Sequence, residues 1–245
     1  MGKSTIWLGR FMAVVTVLFL AAVFLPSQTK AASIQPVVEK LERNAKQLDQ
    51  KIRSTAFEKP YSLFNETKKS YSAAKKEVGR LKDGPTKRQY TKRIDAAYLT
   101  IQKASYYISA IESGEKLLTL KSRIDRALSA GDVDTLYDVY PSFANQLKKA
   151  SALIQKASYP SVRQKMVEKF QHPAESTKQR AFYPMNIMLA FDRIIDAYDN
   201  DDVEEAERLL ALCDQWLANV KDAKTKKELS LYLEDFKAPV IIDVE

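Results

Sequence analysis

The sequence predicts an all-α protein, an elongated array of amphipathic helices with no substantial sheet. Three observations lead there. Apolar residues recur at steps of three and four through most of the chain, short Pro- or Gly-containing breaks separate the runs, and only the C-terminal tail resembles a strand. The single cysteine, Cys213, excludes an internal disulfide framework, so stability must come from apolar burial.

Residues 1–31 read as a secretory signal peptide. Lys3 and Arg10 precede an apolar run over 11–25, then Pro26 and a Thr29-Lys30-Ala31 cleavage site. The run is shorter than the roughly 20 residues a membrane span needs, so cleavage after Ala31 and a secreted mature chain, free of the membrane, are expected.

From 33 to 56, Val37, Leu41, Ala45, Leu48 and Ile52 specify an amphipathic helix that Lys59-Pro60 interrupts. A second stripe, Tyr61, Phe64, Tyr71, Ala74, Val78 and Leu81, ends at Asp83-Gly84-Pro85. The third has the most regular period: Tyr90, Ile94, Ala97, Ile101, Ala104, Ile108 and Ile111 alternate steps of four and three, as in a coiled coil. The short turn makes the second and third helices an antiparallel hairpin.

The pattern falters at Ser113-Gly114 and resumes with Leu117, Leu120, Ile124, Ala127 and Leu128 as far as Ala130-Gly131. Asp132 then caps a helix carrying Leu136, Val139, Tyr140, Phe143, Leu147, Ala150 and Ile154, with a kink expected near Pro141 and a stop at Tyr159-Pro160. Residues 161–176, with His172-Pro173, predict a broken helix and a loop. A helix over 181–198 follows, with Pro184 near its first turn and Met188, Phe191, Ile194 and Ile195 buried. After an acidic turn at 199–202, Val203, Ala206, Leu209, Leu210, Cys213, Trp216, Leu217 and Val220 form the buried side of the last long helix. A short helix over 225–236 leads to an extended tail, 237–245. The expected domains are 32–130 and 131–236.

Two turns echo each other at an offset of 70 residues: Arg123, Ile124, Ala127, Asp132, Val133 and Leu147 match Arg193, Ile194, Ala197, Asp202, Val203 and Leu217. This predicts one helix, acidic-capped turn, helix unit used twice.

Charge is unevenly placed. Residues 32–128 hold 21 basic and 11 acidic residues, whereas 129–245 hold 15 and 20. Within 59–103 alone there are twelve basic and four acidic residues, a net +8. Off the apolar seams lie Lys69, Lys76 and Arg80 on the second helix and Arg88, Lys92, Lys103 and Tyr106 on the third. Such stripes suit a polyanion, with Arg forking onto carboxylate or phosphate and Tyr stacking on sugar rings, although a solvated face has the same composition.

Other candidates have plainer readings. Tyr98, Tyr106 and Tyr107 suit a carbohydrate groove but are better read as packing on a neighbouring helix with their hydroxyls in water. Asp199, Asp201, Asp202, Glu204 and Glu205 are better read as capping a helix start than as calcium ligands, because the Gly and distant Glu of an EF-hand are absent. No metal site, cofactor site or catalytic residue is assigned: His172 is the only histidine, no Gly-rich phosphate loop occurs, and no carboxylate pair is singled out by spacing. Cys213 reads as a buried small hydrophobe.

Three stretches, YSLFNETKKSYSAAKKEV, KLLTLKSRIDRALSAGDVDTLYDVYPSFANQL and MLAFDRIIDAYDNDDVEEAERLLALCDQWLANV, resemble the N-terminal helical region of SbsC-type bacterial S-layer proteins across residues 61–220. The resemblance implies consecutive triple-helical bundles, a Gram-positive source, and a basic surface holding an anionic secondary cell-wall polymer. Lattice self-assembly is not expected, since the chain stops after the helical region without a long β-rich portion. The expected function is therefore a secreted, non-catalytic, cell-wall-associated protein that binds an anionic wall glycan. The second reading is an extracellular helical adaptor with a protein partner. Export argues against nucleic acid.

Overall fold

The computed structural model describes the backbone of residues 25–238 and the side chains of residues 33–238. The signal segment before Leu25 and the tail beyond Ala238 fall outside the described residues. Every regular element described is helical: α1 (Leu25–Ile52), α2 (Tyr61–Gly79), α3 (Pro85–Ala130), α4 (Val133–Gln155), α5 (Pro160–Met166), a π-turn (Val167–Gln171), α6 (His172–Asp199), α7 (Val203–Ala218) and α8 (Ala223–Lys237). The expected all-α class is borne out. Among the described residues, no helix is long and apolar enough to cross a membrane.

The chain forms two compact units, one ending at Ser105 and one beginning at Tyr106. The core of the first is a three-helix bundle: Ile34, Val38, Leu41 and Ala45 of α1, Ala74 and Val78 of α2, and Tyr90, Ile94 and Ala97 of α3. Val38, not Val37, faces fully inward. The α2 stripe also differs from expectation, because Tyr61 is exposed and the buried face is Thr67, Ser70, Ala74 and Val78. Its polar members are satisfied: Thr67 Oγ1 donates to the Leu63 carbonyl at 2.7 Å, and Asn44 Nδ2 donates to Ser70 Oγ at 3.0 Å. Small residues there let α1 approach closely.

The second unit holds two further triple-helical cores. Leu117, Ile124 and Leu128 of α3 pack with Leu136, Phe143 and Leu147 of α4 and Ala174, Ala181 and Met185 of α6. Ile187, Phe191 and Ile194 of α6 then pack with Leu209, Leu210 and Cys213 of α7 and Leu229 and Leu233 of α8. α6 thus serves both cores with different segments.

The repeated turns share one geometry. The amide of Asp132 donates to the carbonyl of Ala127 at 3.0 Å, and that of Asp202 to Ala197 at 2.9 Å. Between them lie Gly131 at φ 79° and Asp201 at φ 56°. These are six-to-one bonds over a left-handed residue, the Schellman arrangement. Asp132 and Asp202 each accept from the amide three residues on, at 2.9 and 3.1 Å, as capping predicts. The copies differ outside the turn: Val133 is buried in the α6–α8 core, whereas Val203 is 54% exposed against expectation. Ile195, expected inside, is also exposed.

Two expected breaks are helical instead. α3 runs unbroken through Ser113-Gly114, and residues 161–176 form helix and π-turn, leaving Pro184 buried inside α6. One contact accounts for the glycine within the helix. A Cβ on Gly114 would lie 2.5 Å from the Phe170 ring, so glycine there admits the fully buried Phe170 that the π-turn presents. Gly114 is a packing residue rather than a turn residue.

Gly114→Ala should therefore cost about 1–3 kcal/mol by overpacking. Phe170→Ala should cost about 3–5 kcal/mol through the cavity left. In urea unfolding, the double variant should be no less stable than Phe170→Ala alone, because the collision is then gone.

Candidate anion-binding groove

Helix packing fixes the charged surface of the first unit. α1, α2 and α3 turn their seams to one another, so off-seam residues face solvent or the grooves between helices. A concavity of about 540 Å³ runs between α1 and α3 and is lined by Glu42, Lys46, Asp49 and Arg53 from α1 and by Lys92, Arg93, Thr100 and Lys103 from α3, together with Ala45, Ala96 and Ala97.

Both carboxylates of the groove are engaged by arginine. Arg93 holds Glu42 through two parallel bonds of 2.7 Å each, and Arg53 donates to Asp49 at 2.8 Å. The hydrogen bond from Arg93 holds the Glu42 carboxyl below its ordinary range and raises the guanidinium in turn. Lys46 and Lys92, by contrast, make no hydrogen bond or ion pair with the described residues. The groove therefore presents uncompensated ammonium groups above a carboxylate layer already neutralised.

Of the stripe residues, Lys92 and Lys103 line this groove, while Lys69, Lys76, Arg80 and Arg88 do not. Lys69, Lys76 and Arg88 are exposed with no ion pair or hydrogen bond among the described residues, and Arg80 is paired with Glu77 at 2.7 Å. Tyr106 belongs to the second unit, is 43% exposed, and lies beneath the Lys156 ammonium at 5.7 Å. Tyr98 stacks on Tyr71 with centroids 5.1 Å apart, and Tyr107 is buried. Lys46 and Arg53 were missed by sequence reasoning: a helical wheel of α3 shows which side is off the seam but not which neighbour borders it.

The acidic turn before α7 uses its carboxylates internally, Asp202 as a cap and Glu205 as acceptor for Arg193 and Arg208. His172 opens α6 and is exposed. Cys213 is buried, and loss of solvation pushes its thiol up to about 11.

A model of the SbsC C-terminal domain family matches residues 44–175, more than half of the chain. The chain belongs to this family. Two solved structures agree in fold: a crystal structure of the S-layer protein rSbsC, with TM-score 0.73 and 21% identity over 83% of this chain, and one of the N-terminal part of bacterial SbsC, with TM-score 0.74 and 20% identity over 83%. The chain spans 31% and 53% of those two chains. No curated protein matches it. The SbsC-type resemblance drawn from the sequence is thus borne out, as is its triple-helical packing.

Because folding lowers the Glu42 value, the stabilisation from its Arg93 pair is present above the ordinary carboxylate range and lost as pH falls through the depressed folded value. Wild type should exceed Glu42→Gln in unfolding free energy from urea titration at pH 7, by no more than about 1 kcal/mol for so exposed a pair. The gap should close on acidification. Cys213 should resist thiol reagents at pH 7 in native buffer and react completely in urea, followed by absorbance.

Proposed function

We propose that this chain is an exported, non-catalytic protein of the cell surface, held to the wall by an anionic secondary cell-wall polymer. The observation that carries the reading is the surplus of unpaired cations on the first unit: Lys46 and Lys92 in the α1–α3 groove, and Lys69, Lys76 and Arg88 on the outer faces of α2 and α3. A polyanion supplies the countercharge these groups lack, with Lys103, Arg80 and Tyr106 as further contacts. Membership of the SbsC family supports a cell-surface setting. In the same reading the basic domain 32–130 binds and the acidic domain 131–236 spaces.

A second reading, an adaptor with a protein partner, is favoured by the apolar side chains that α6 leaves in solvent: Phe182 at 51% exposure, Leu189 at 48% and Tyr198 at 41%. Such exposed apolar residues suit a protein surface better than a charged glycan.

Co-sedimentation with purified wall sacculi separates the two. Polymer binding requires retention that is lost after polymer extraction and in high salt. Charge reversal of Lys69, Lys76 and Lys92 to Glu should weaken retention several-fold, while each substitution changes stability by less than about 0.5 kcal/mol. Retention indifferent to extraction and salt would reject the reading.

A further inference from the structure

The two helix, turn, helix repeats share a backbone and differ in the charges around it. In the second repeat, Arg193 donates to Glu205 Oε1 at 3.2 Å, and Arg208 grips the same carboxylate through bonds of 2.6 and 2.7 Å. One carboxylate is thus held by two guanidiniums beside the Asp202 cap.

At the 70-residue offset, Arg123 stands for Arg193, but Thr135 replaces Glu205, Asp138 replaces Arg208, and Arg126 replaces Asp196. The first repeat keeps the receiving arginine, gains another one turn along α3, and has no carboxylate at the acceptor position. Arg123, Arg126, Ala127, Ala130, Asp132 and Thr135 line a groove of about 280 Å³. Both arginines are exposed. Arg123 makes no hydrogen bond or ion pair among the described residues, and Arg126 gives only its Nε, to the Ser122 carbonyl at 3.3 Å. The remaining charged residue of the lining, Asp132, is committed to the start of α4: it accepts from the Thr135 amide, which holds its carboxyl below the ordinary range.

We propose that this groove binds a carboxylate ligand, which takes the place that Glu205 fills in the second repeat and pairs with Arg123 and Arg126. The Arg193–Glu205 bond shows that a carboxylate at the place Thr135 occupies lies within reach of the arginine both repeats keep, and Arg126, one turn along α3, supplies a second guanidinium in place of Arg208, whose own counterpart is Asp138. Asp132 sets the charge class, because repulsion from it grows with ligand charge and favours a singly charged group over a multiply charged anion. The site lies wholly in the second unit and shares no residue with the lysine groove, so it stands or falls apart from wall binding.

The test is an NMR titration of the arginine Nε–H signals of the full chain with propionate at constant ionic strength, with propionamide as the uncharged control. Saturable shifts at Arg123 and Arg126 are expected, weakened about tenfold or more by Arg123→Gln. Thr135→Glu, which restores the residue the second repeat carries, should shift the Arg123 signal without ligand and abolish the propionate response. Non-saturating shifts, equal shifts from chloride or sulfate, or a response unchanged by both substitutions would overturn the site.

Discussion

Burial of one unbroken apolar seam along α3 is the interaction the rest of the structure depends on. From Tyr90 through Ile94, Ala97, Ile101, Ala104, Ile108 and Ile111 to Leu117, Ile124 and Leu128, the seam is buried throughout, and it supplies core residues to both compact units. No cross-link substitutes for it, since the lone Cys213 is a buried thiol. α1 and α2 cover the seam at Tyr90, Ile94 and Ala97, and α4 and α6 cover it at Leu117, Ile124 and Leu128. Gly114 keeps it continuous by giving room to Phe170 without ending the helix.

Once helices are packed in this way, surface charge is sorted by which neighbour each face meets. In the α1–α3 groove the arginines are paired, Arg93 to Glu42 and Arg53 to Asp49, and in the second unit Arg180 bridges Asp125 and Asp222. The fork of a guanidinium fits a carboxylate, whereas Lys46 and Lys92 of the same groove make no ion pair among the described residues. What remains unpaired in the α1–α3 groove is therefore lysine. In the proposed reading, that would give the first unit a soft, salt-sensitive attraction for anions rather than a single specific pocket.

The internal repeat shows conformation and electrostatics diverging independently. A Schellman turn with an aspartate cap is reproduced at Asp132 and Asp202, with glycine at the left-handed position in one copy and aspartate in the other. The charges placed around that turn are not reproduced. Glu205 engages Arg193 and Arg208, whereas Thr135 offers no carboxylate to Arg123, and the first repeat carries Asp138 and Arg126 where the second has Arg208 and Asp196.

The sequence by itself determined the helical class, the Asp132 and Asp202 caps, the α3 seam and the SbsC likeness, because periodicity and capping are local consequences of residue type. It also located the excess of positive charge. Only the tertiary structure decided which residues share a surface. Val38 replaces Val37 inside, Val203 and Ile195 are exposed, and Lys92 and Lys103 meet Lys46 and Arg53 across a groove. Periodicity gives the direction a side chain takes from its own axis. The identity of the neighbour, and hence a glycine's role as turn or as packing site, depends on residues such as Phe170 that are distant in sequence.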